Sequence, residues 1–93
     1  MALHYTLRQL EYFVAVGDEG SITKASRKVN VSSPSISAAI TQLEESFGLR
    51  LFVRKHAQGL TLTQPGHKLI LQARRILQEA VTMNQLADEL SGN

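Results

Sequence analysis

Residues 21–47 read SITKASRKVNVSSPSISAAITQLEESF, a pattern that predicts two short helices joined by a tight turn. Ser21 is the kind of residue that caps a helix N-terminus, and apolar residues follow it at helical spacing. Asn30 interrupts this pattern. Ser32 can cap a second helix, with Pro34 in the first turn, where a missing backbone N–H has no cost. Two helices this close along the chain form a helix-turn-helix, so this segment decides the fold.

A further helix is predicted before this pair, and a hairpin after it. Thr6 can cap the preceding helix, and Gly17 and Gly20 are expected to stop it. The short apolar runs at residues 49–54 and 60–62 flank a polar turn that contains a glycine, which predicts a β-hairpin, or wing. A loop that crosses the surface is the alternative. The predicted fold class is therefore mainly α, a winged helix-turn-helix of three helices and a two-stranded wing.

A long helix is predicted to follow the wing. Thr63 can cap it, and no helix breaker occurs before Gly92. Its apolar residues are spaced alternately four and three apart, the seam of a helix that packs lengthwise against another. Because a helix of about 25 residues is unusually long for so small a domain, we expect the seam to pair with a second copy; packing within the chain is the alternative. The predicted dimer interface consists of Leu69, Ala73, Ile76, Leu77, Ala80, Met83, Ala87 and Leu90.

Basic residues are concentrated in the middle of the chain. Residues 24–75 contain nine Lys and Arg against two Glu, a net charge of +7, whereas residues 1–23 sum to −2 and residues 76–93 to −3. Such clustering supplies the salt-dependent, sequence-independent part of nucleic-acid affinity. A solvated surface that happens to be basic is the alternative.

The composition argues against several classes of protein. With 93 residues we expect one domain, too small to add a catalytic or ligand-binding domain. The chain has no cysteine, which excludes disulfides and thiolate sites. No apolar run approaches the ~20 residues of a membrane span, and no signal peptide is evident, so a cytoplasmic protein is expected. If the basic middle of the chain binds DNA, the protein should be associated with the nucleoid. The histidines lie in different elements without metal-ligand spacing, so neither a cofactor nor catalysis is expected.

The second helix of the pair has a small, hydroxyl-rich edge. Its serines gather around a helix N-terminus, whose free N–H groups and dipole attract phosphate. Small apolar residues on the same edge suit contact with a thymine methyl group. Plain helix capping is the alternative for these serines. With cations from the first helix and the wing tip, the predicted DNA contacts are Lys24, Ser32, Ser33, Pro34, Ser35, Ser37, Ala38, Thr41, Gln42, Arg54, Lys55, His56 and Gln58.

Five motifs occur in order along the chain: LRQLEYFVAV, EGSITKAS, VSSPSIS, LEESFGLRLFVR and LTLTQPG. Through them, residues 7–66 closely resemble the N-terminal DNA-binding domain of LysR-type transcriptional regulators, and the resemblance continues into the long helix. It implies a recognition helix at residues 32–47 in the major groove and a wing at 53–60 beside the adjacent minor groove. It also implies a linker helix that pairs antiparallel with that of a second subunit, and partly palindromic promoter sites.

The resemblance also assigns roles to single positions. It implies that Thr23 approaches a phosphate and that Arg54 is the wing arginine. The family often has Gln at the position of Ser33, Arg or Gln at that of Ala38, and a second arginine at the wing tip, where this chain has KHAQG. Direct reading of base edges should therefore be thin, and methyl contacts, phosphate positioning and DNA shape should carry more of the recognition.

The resemblance implies a division of the chain into a DNA-binding domain at residues 1–62, a linker and dimerisation helix at 63–90 and a tail at 91–93. Family members continue into an effector-sensing domain. We therefore expect a DNA-binding segment that does not itself bind a small-molecule effector, and that needs the further domain to form anything larger than a homodimer. Its expected partners are double-stranded promoter DNA and a second copy. The competing hypothesis is a helical dimerisation or protein-interaction module whose basic face is incidental.

Overall fold

The computed structural model describes residues 3–55 and 59–92. Over these residues the chain is mainly helical, with a two-stranded antiparallel hairpin before the last helix. The elements are α1 (Leu7–Glu19), α2 (Ile22–Val29), α3 (Ser33–Phe47), β1 (Phe52–Lys55), β2 (Gly59–Leu62) and α4 (Gln64–Leu90). The predicted fold class, a winged helix-turn-helix followed by a long helix, is confirmed. Within the same two ranges, no helix combines the length and the apolar character that crossing a membrane requires.

Hydroxyl side chains determine where helices α1 to α4 begin. At each start, a Ser or Thr oxygen accepts a hydrogen bond from the backbone N–H three residues further on, which satisfies one of the donors that a helix start leaves free. The four capping residues are Thr6, Ser21, Ser32 and Thr63, and all four were predicted from the sequence. Asn30 ends α2 with a left-handed φ of 59°, a conformation that asparagine tolerates better than most residues.

Gly17 lies inside α1 and does not end it. The helix continues to Glu19, and Gly20 is its C-cap. A Cβ atom at Gly17 would overlap the end of the Ile70 side chain, so Ile70 of α4 would have to shift if this position of α1 carried a side chain. The expectation that Gly17 stops the helix was wrong, because this glycine serves helix packing rather than a turn.

A single hydrophobic core joins the helices and the hairpin. Phe13 is fully buried and meets Phe52 edge to face, with ring centroids 5.7 Å apart. Aromatic pairs favour this arrangement over a face-to-face stack. From α3, Ile36 and Leu43 enter the same core and are fully buried. The core therefore holds α3 by one side and leaves its other side facing solvent.

The wing is a hairpin attached to the helices. β1 and β2 pair antiparallel, beginning with Phe52 opposite Leu62. The backbone N–H of Leu60 donates to the carbonyl oxygen of Gly20 at 3.0 Å, which ties β2 to the junction of α1 and α2. Residues 49–54 were expected to form the first strand, but its first three residues form the connection from α3. The hairpin itself is present, and the surface-loop alternative is wrong.

The first half of helix α4 packs on the domain, and the second half projects away from it into solvent. Ile70 and Ala73 are buried in the core, whereas every residue from Val81 to Leu90 is exposed. Ala73 was predicted at the dimer interface, but only 3% of it is exposed, because its own chain covers it. For the other residues of the predicted seam, exposure to solvent increases along the helix. Leu69, Ile76 and Leu77 are partly covered by the core, Ala80 is half-buried, and Met83, Ala87 and Leu90 are exposed.

Candidate nucleic-acid interface

The solvent-facing side of α3 is built from small and polar residues. It lies opposite the side that carries the buried residues Ile36, Ala39, Ile40 and Leu43. On this solvent-facing side, the first two turns of α3 carry no bulky side chain, so the backbone of the helix can closely approach a concave partner. An α-helix of this kind fits the major groove of B-DNA, which is about 12 Å wide. The exposed residues predicted as DNA contacts on this side are Ser32, Pro34, Ser35, Ser37, Ala38, Thr41 and Gln42.

The serine hydroxyls at the start of α3 differ in what they can still donate. Ser32 Oγ donates to Ser35 Oγ at 2.8 Å, and Ser33 Oγ donates to Ser26 Oγ of α2 at 3.2 Å. Because a hydroxyl has one proton to donate, the half-buried Ser33 joins α3 to α2 and keeps only an acceptor role. Ser35 retains its own proton. In the described part of the chain, Ser37 makes no side-chain hydrogen bond, so its hydroxyl can donate or accept outward.

A cleft between α2 and the hairpin brings together cations that are distant in sequence. Lys24 and Arg27 of α2 line it together with Arg54 of β1, and Thr23 lies among them. We call this the cationic cleft. The N-terminus of α2, capped by Ser21, opens on it, so the positive end of a helix dipole is added to the three side chains. This combination of free backbone N–H groups and cations is what binds a phosphate at a helix start.

The charges of the cationic cleft are not neutralised by the chain itself. Over residues 3–55 and 59–92, none of its three cations forms a salt bridge. By contrast, Lys28 on the same helix lies 3.4 Å from Glu19. The cleft therefore keeps a local positive potential, which is available to an anionic partner.

The outer end of the wing is described only in part. Arg54 and Lys55 are exposed on β1, the first in the cationic cleft and the second at the last described residue of the strand. His56 and Gln58, which were also predicted as DNA contacts, lie outside the described residues. Across the part of the chain that is described, no three His, Cys, Asp or Glu side chains are grouped so that they could hold a metal ion.

Two residues that position the interface were not predicted. Gln9 of α1 donates a hydrogen bond to Gln42 of α3 at 3.1 Å. Glu44 accepts the backbone N–H of Leu51 at 2.7 Å and so connects α3 to the start of the hairpin. The role of Gln9 in capping α1 can be read from the spacing Thr-x-x-Gln. No local pattern, however, indicates its contact with a residue 33 positions away.

Comparison with known proteins identifies the family. The model of the family described as "Bacterial regulatory helix-turn-helix protein, lysR family" matches residues 7–67. The HTH-type transcriptional regulator ClcR of Pseudomonas putida is 44% identical over 70 residues, which are 75% of this chain and 24% of ClcR. CfxR of Cupriavidus necator is 43% identical over 74 residues, covering 80% of this chain and 23% of CfxR. The chain thus spans about a quarter of the length of these relatives.

Solved structures match over nearly the whole chain. A complex of the CbnR DNA-binding domain with DNA superposes with a TM-score of 0.85 at 35% identity, covering 92% of this chain and 98% of that one. A complex of the BenM DNA-binding domain with catB site 1 DNA has a TM-score of 0.89 at 33% identity, covering 95% and 98%. Oxidised OxyR of Corynebacterium glutamicum has a TM-score of 0.86 at 30% identity, covering 94% and 28%. This chain belongs to the LysR family of bacterial regulatory helix-turn-helix proteins.

Proposed function

We propose that this chain binds double-stranded promoter DNA sequence-specifically, as the DNA-binding module of a LysR-type transcriptional regulator. The observation that carries the binding of DNA is the cationic cleft, in which Lys24, Arg27 and Arg54 meet the N-terminus of α2 without a neutralising carboxylate. The exposed side of α3 supports the sequence specificity. The bond from Ser33 to Ser26 places the start of α3 directly beside α2. A bound duplex would therefore meet the phosphate-binding cleft and the exposed side of α3 together.

The two parts of this interface have different tasks. The cationic cleft binds phosphates and so orients the domain, but it contributes no information about sequence. Helix α3 lies in the major groove, where Pro34 and Ala38 contact thymine methyl groups and the Ser37 hydroxyl bonds to a base or phosphate. The hairpin lies beside the adjacent minor groove. Because no long side chain on the first two turns of α3 reaches a base edge, DNA shape contributes a large share of the specificity.

A homodimer through α4 presents two such interfaces to one promoter. The last three turns of α4 expose Met83, Leu86 and Leu90, which are 70%, 52% and 81% exposed. Large apolar side chains this exposed on a projecting helix are best covered by a second copy, and the family resemblance implies that the two helices pair antiparallel. The proposed interface comprises the predicted seam without Ala73, with Leu86 added to it. The titles of the CbnR and BenM structures name complexes with DNA, which supports the DNA-binding part of the proposal.

This role requires neither a cofactor nor catalysis by the chain. The relatives are named as transcriptional regulators, and the described residues contain no group of His, Cys, Asp or Glu that could hold a metal ion. We place the protein in the cytoplasm with the nucleoid, since its proposed ligand is bacterial promoter DNA.

The test is a binding titration against a duplex selected from a random pool and a scrambled duplex of the same composition, each at two salt concentrations. We expect tighter binding to the selected duplex, and an affinity for both that falls as salt rises. Equal affinity for the two duplexes would contradict sequence-specific recognition. A stable dimer that binds neither duplex would favour the competing hypothesis of a dimerisation module with an incidental basic face.

A further inference from the structure

Two glutamine side chains connect α1 to α3 at the edge of the proposed DNA-binding surface. Gln9 is in the first turn of α1, and Gln42 is in the third turn of α3. Gln9 Nε2 donates to Gln42 Oε1 at 3.1 Å. Both line a shallow cleft with His4, Glu45 and Ser46. The contact therefore lies on the surface, within reach of a large ligand.

The start of α1 decides which way the two amides face. The backbone N–H of Thr6 donates to Gln9 Oε1 at 2.9 Å, and the backbone N–H of Gln9 donates to Thr6 Oγ1 at 3.1 Å. A backbone N–H can only donate, so the oxygen of the Gln9 amide must face Thr6 and its amino group must face α3. Because the amino group of Gln9 faces Gln42, the Gln42 amide must turn its oxygen towards Gln9. The capping box of α1 thereby sets the orientation of a side chain on α3.

This orientation turns the oxygen of Gln42 towards Gln9 and leaves the Gln42 amino group as the part of the side chain without a partner. The oxygen of Gln42 accepts from Gln9, whereas over residues 3–55 and 59–92 nothing accepts a hydrogen bond from its amino group. The side chain is exposed on the same face of α3 as Ala38. A glutamine that reads adenine must donate with its nitrogen and accept with its oxygen. On Gln42 the oxygen is shared with Gln9, and in the described residues the amino group is the part offered outward without a partner.

We infer that Gln42 donates to a phosphate of the DNA backbone and that Gln9 is the residue that positions it. This inference rests on the proposed function. A phosphate oxygen needs only a donor, and Gln42 lies beyond the N-terminal residues through which a recognition helix contacts bases. Because an amide carries no charge, the contact is a single hydrogen bond to the phosphate and not an ion pair. Glu45 lines the same cleft and places one carboxylate near it. It would add affinity for every sequence without changing preference.

The test is a double-mutant cycle that uses Gln9→Glu and Gln42→Ala. Glu at position 9 still accepts from Thr6 and keeps the capping box, but it cannot donate to Gln42. The Gln42 amide must then turn its amino group towards the new carboxylate and its oxygen towards DNA. We expect either single substitution to weaken binding of both the selected and the scrambled duplex by about fivefold, the effect of one hydrogen bond. The midpoint of thermal unfolding should stay unchanged.

The double variant separates positioning from added charge. If Gln9 acts through Gln42, adding Gln9→Glu to the Gln42→Ala variant should change affinity less than about twofold. Equal weakening by Gln9→Glu in both backgrounds would overturn the inference, because the new charge alone would then explain it. So would a Gln42→Ala variant that binds like the unaltered chain, or one that alters base preference instead of affinity for all sequences.

A neutral phosphate provides a second measurement. Methylphosphonate substitutions placed one at a time along the duplex should include one position that weakens the unaltered chain and leaves Gln42→Ala unaffected. The absence of such a position would overturn the inference. Failure of the proposed function is a distinct result: equal affinity of the unaltered chain for both duplexes contradicts sequence specificity, while the phosphate comparison can still be made. No binding to either duplex would overturn both.

Discussion

A carboxylate oxygen of Glu44 accepts the backbone N–H of Leu51 at 2.7 Å. The same oxygen lies 3.8 Å from Arg50 Nε, and only 19% of the Glu44 side chain is exposed. Glu44 is near the C-terminal end of α3, and Leu51 immediately precedes β1. The bond therefore joins α3 to the start of the hairpin across the turn at Gly48.

Replacing Glu44 by alanine should destabilise the domain. Leu51 is fully buried, so its N–H would lose its partner without gaining water. We expect the free energy of unfolding to fall by about 2 kcal/mol, the cost of leaving a buried donor unsatisfied. Urea denaturation measures this directly. The neighbouring exposed residue Glu45 is the matched control, and Glu45→Ala should change stability by less than about 0.5 kcal/mol. Equal losses in the two variants would show that the bond to Leu51 contributes nothing.

Replacing Arg54 by alanine should weaken binding to every duplex alike. The guanidinium lines the cationic cleft without a salt bridge in the described part of the chain, so its proposed partner is a phosphate. The slope of log affinity against log salt should decrease in magnitude by about 1. Arg75→Ala, which removes an exposed cation from α4, is the control and should leave the slope unchanged. A changed base preference with an unaltered slope would contradict the assignment of Arg54 to a phosphate.

Replacing Ala38 by arginine should introduce a base preference that the chain lacks. A bidentate contact from arginine to guanine discriminates by roughly 1–3 kcal/mol, so selection from a random duplex pool should enrich guanine at one position of each half-site by about tenfold. Gln78→Arg adds the same charge on an exposed part of α4 and serves as control. If both variants enrich the same sequences, Ala38 does not face the major groove.

Replacing Met83 by glutamate should dissociate the proposed dimer. Met83 is 70% exposed and contacts none of the core, so the substitution should not disturb the domain itself. An unpaired charge buried between two helices is costly, and the dimer Kd should rise by at least about tenfold. Analytical ultracentrifugation measures it. Gln85→Glu adds the same charge on the opposite side of the same helix and should leave the mass at that of the dimer. Ile76 is a poorer target, because it packs against the core of its own chain.

Local chemistry was sufficient to predict the elements. Each helix start depends on a hydroxyl and a backbone N–H three residues apart, so Thr6, Ser21, Ser32 and Thr63 could be identified without any tertiary information. The residues along the exposed face of α3 followed from the same periodicity. Predictions were wrong where the role of a residue depends on a contact with a residue that is distant in sequence. Gly17 makes room for Ile70 and continues the helix that it was expected to stop.

The sequence by itself determined the order of the helices and the hairpin and the exposed side of α3, because caps, breakers and periodic apolar residues act over three or four positions. It indicated the family through the resemblance of five motifs that occur in order along the chain. Only the tertiary structure decided which surfaces remain free. A helical pattern shows that a face is apolar but not what covers it. Ala73 was therefore predicted at the dimer interface, whereas the structure buries it in the core of its own chain. The pairing of Gln9 with Gln42, 33 positions apart, likewise depends on how α1 packs against α3.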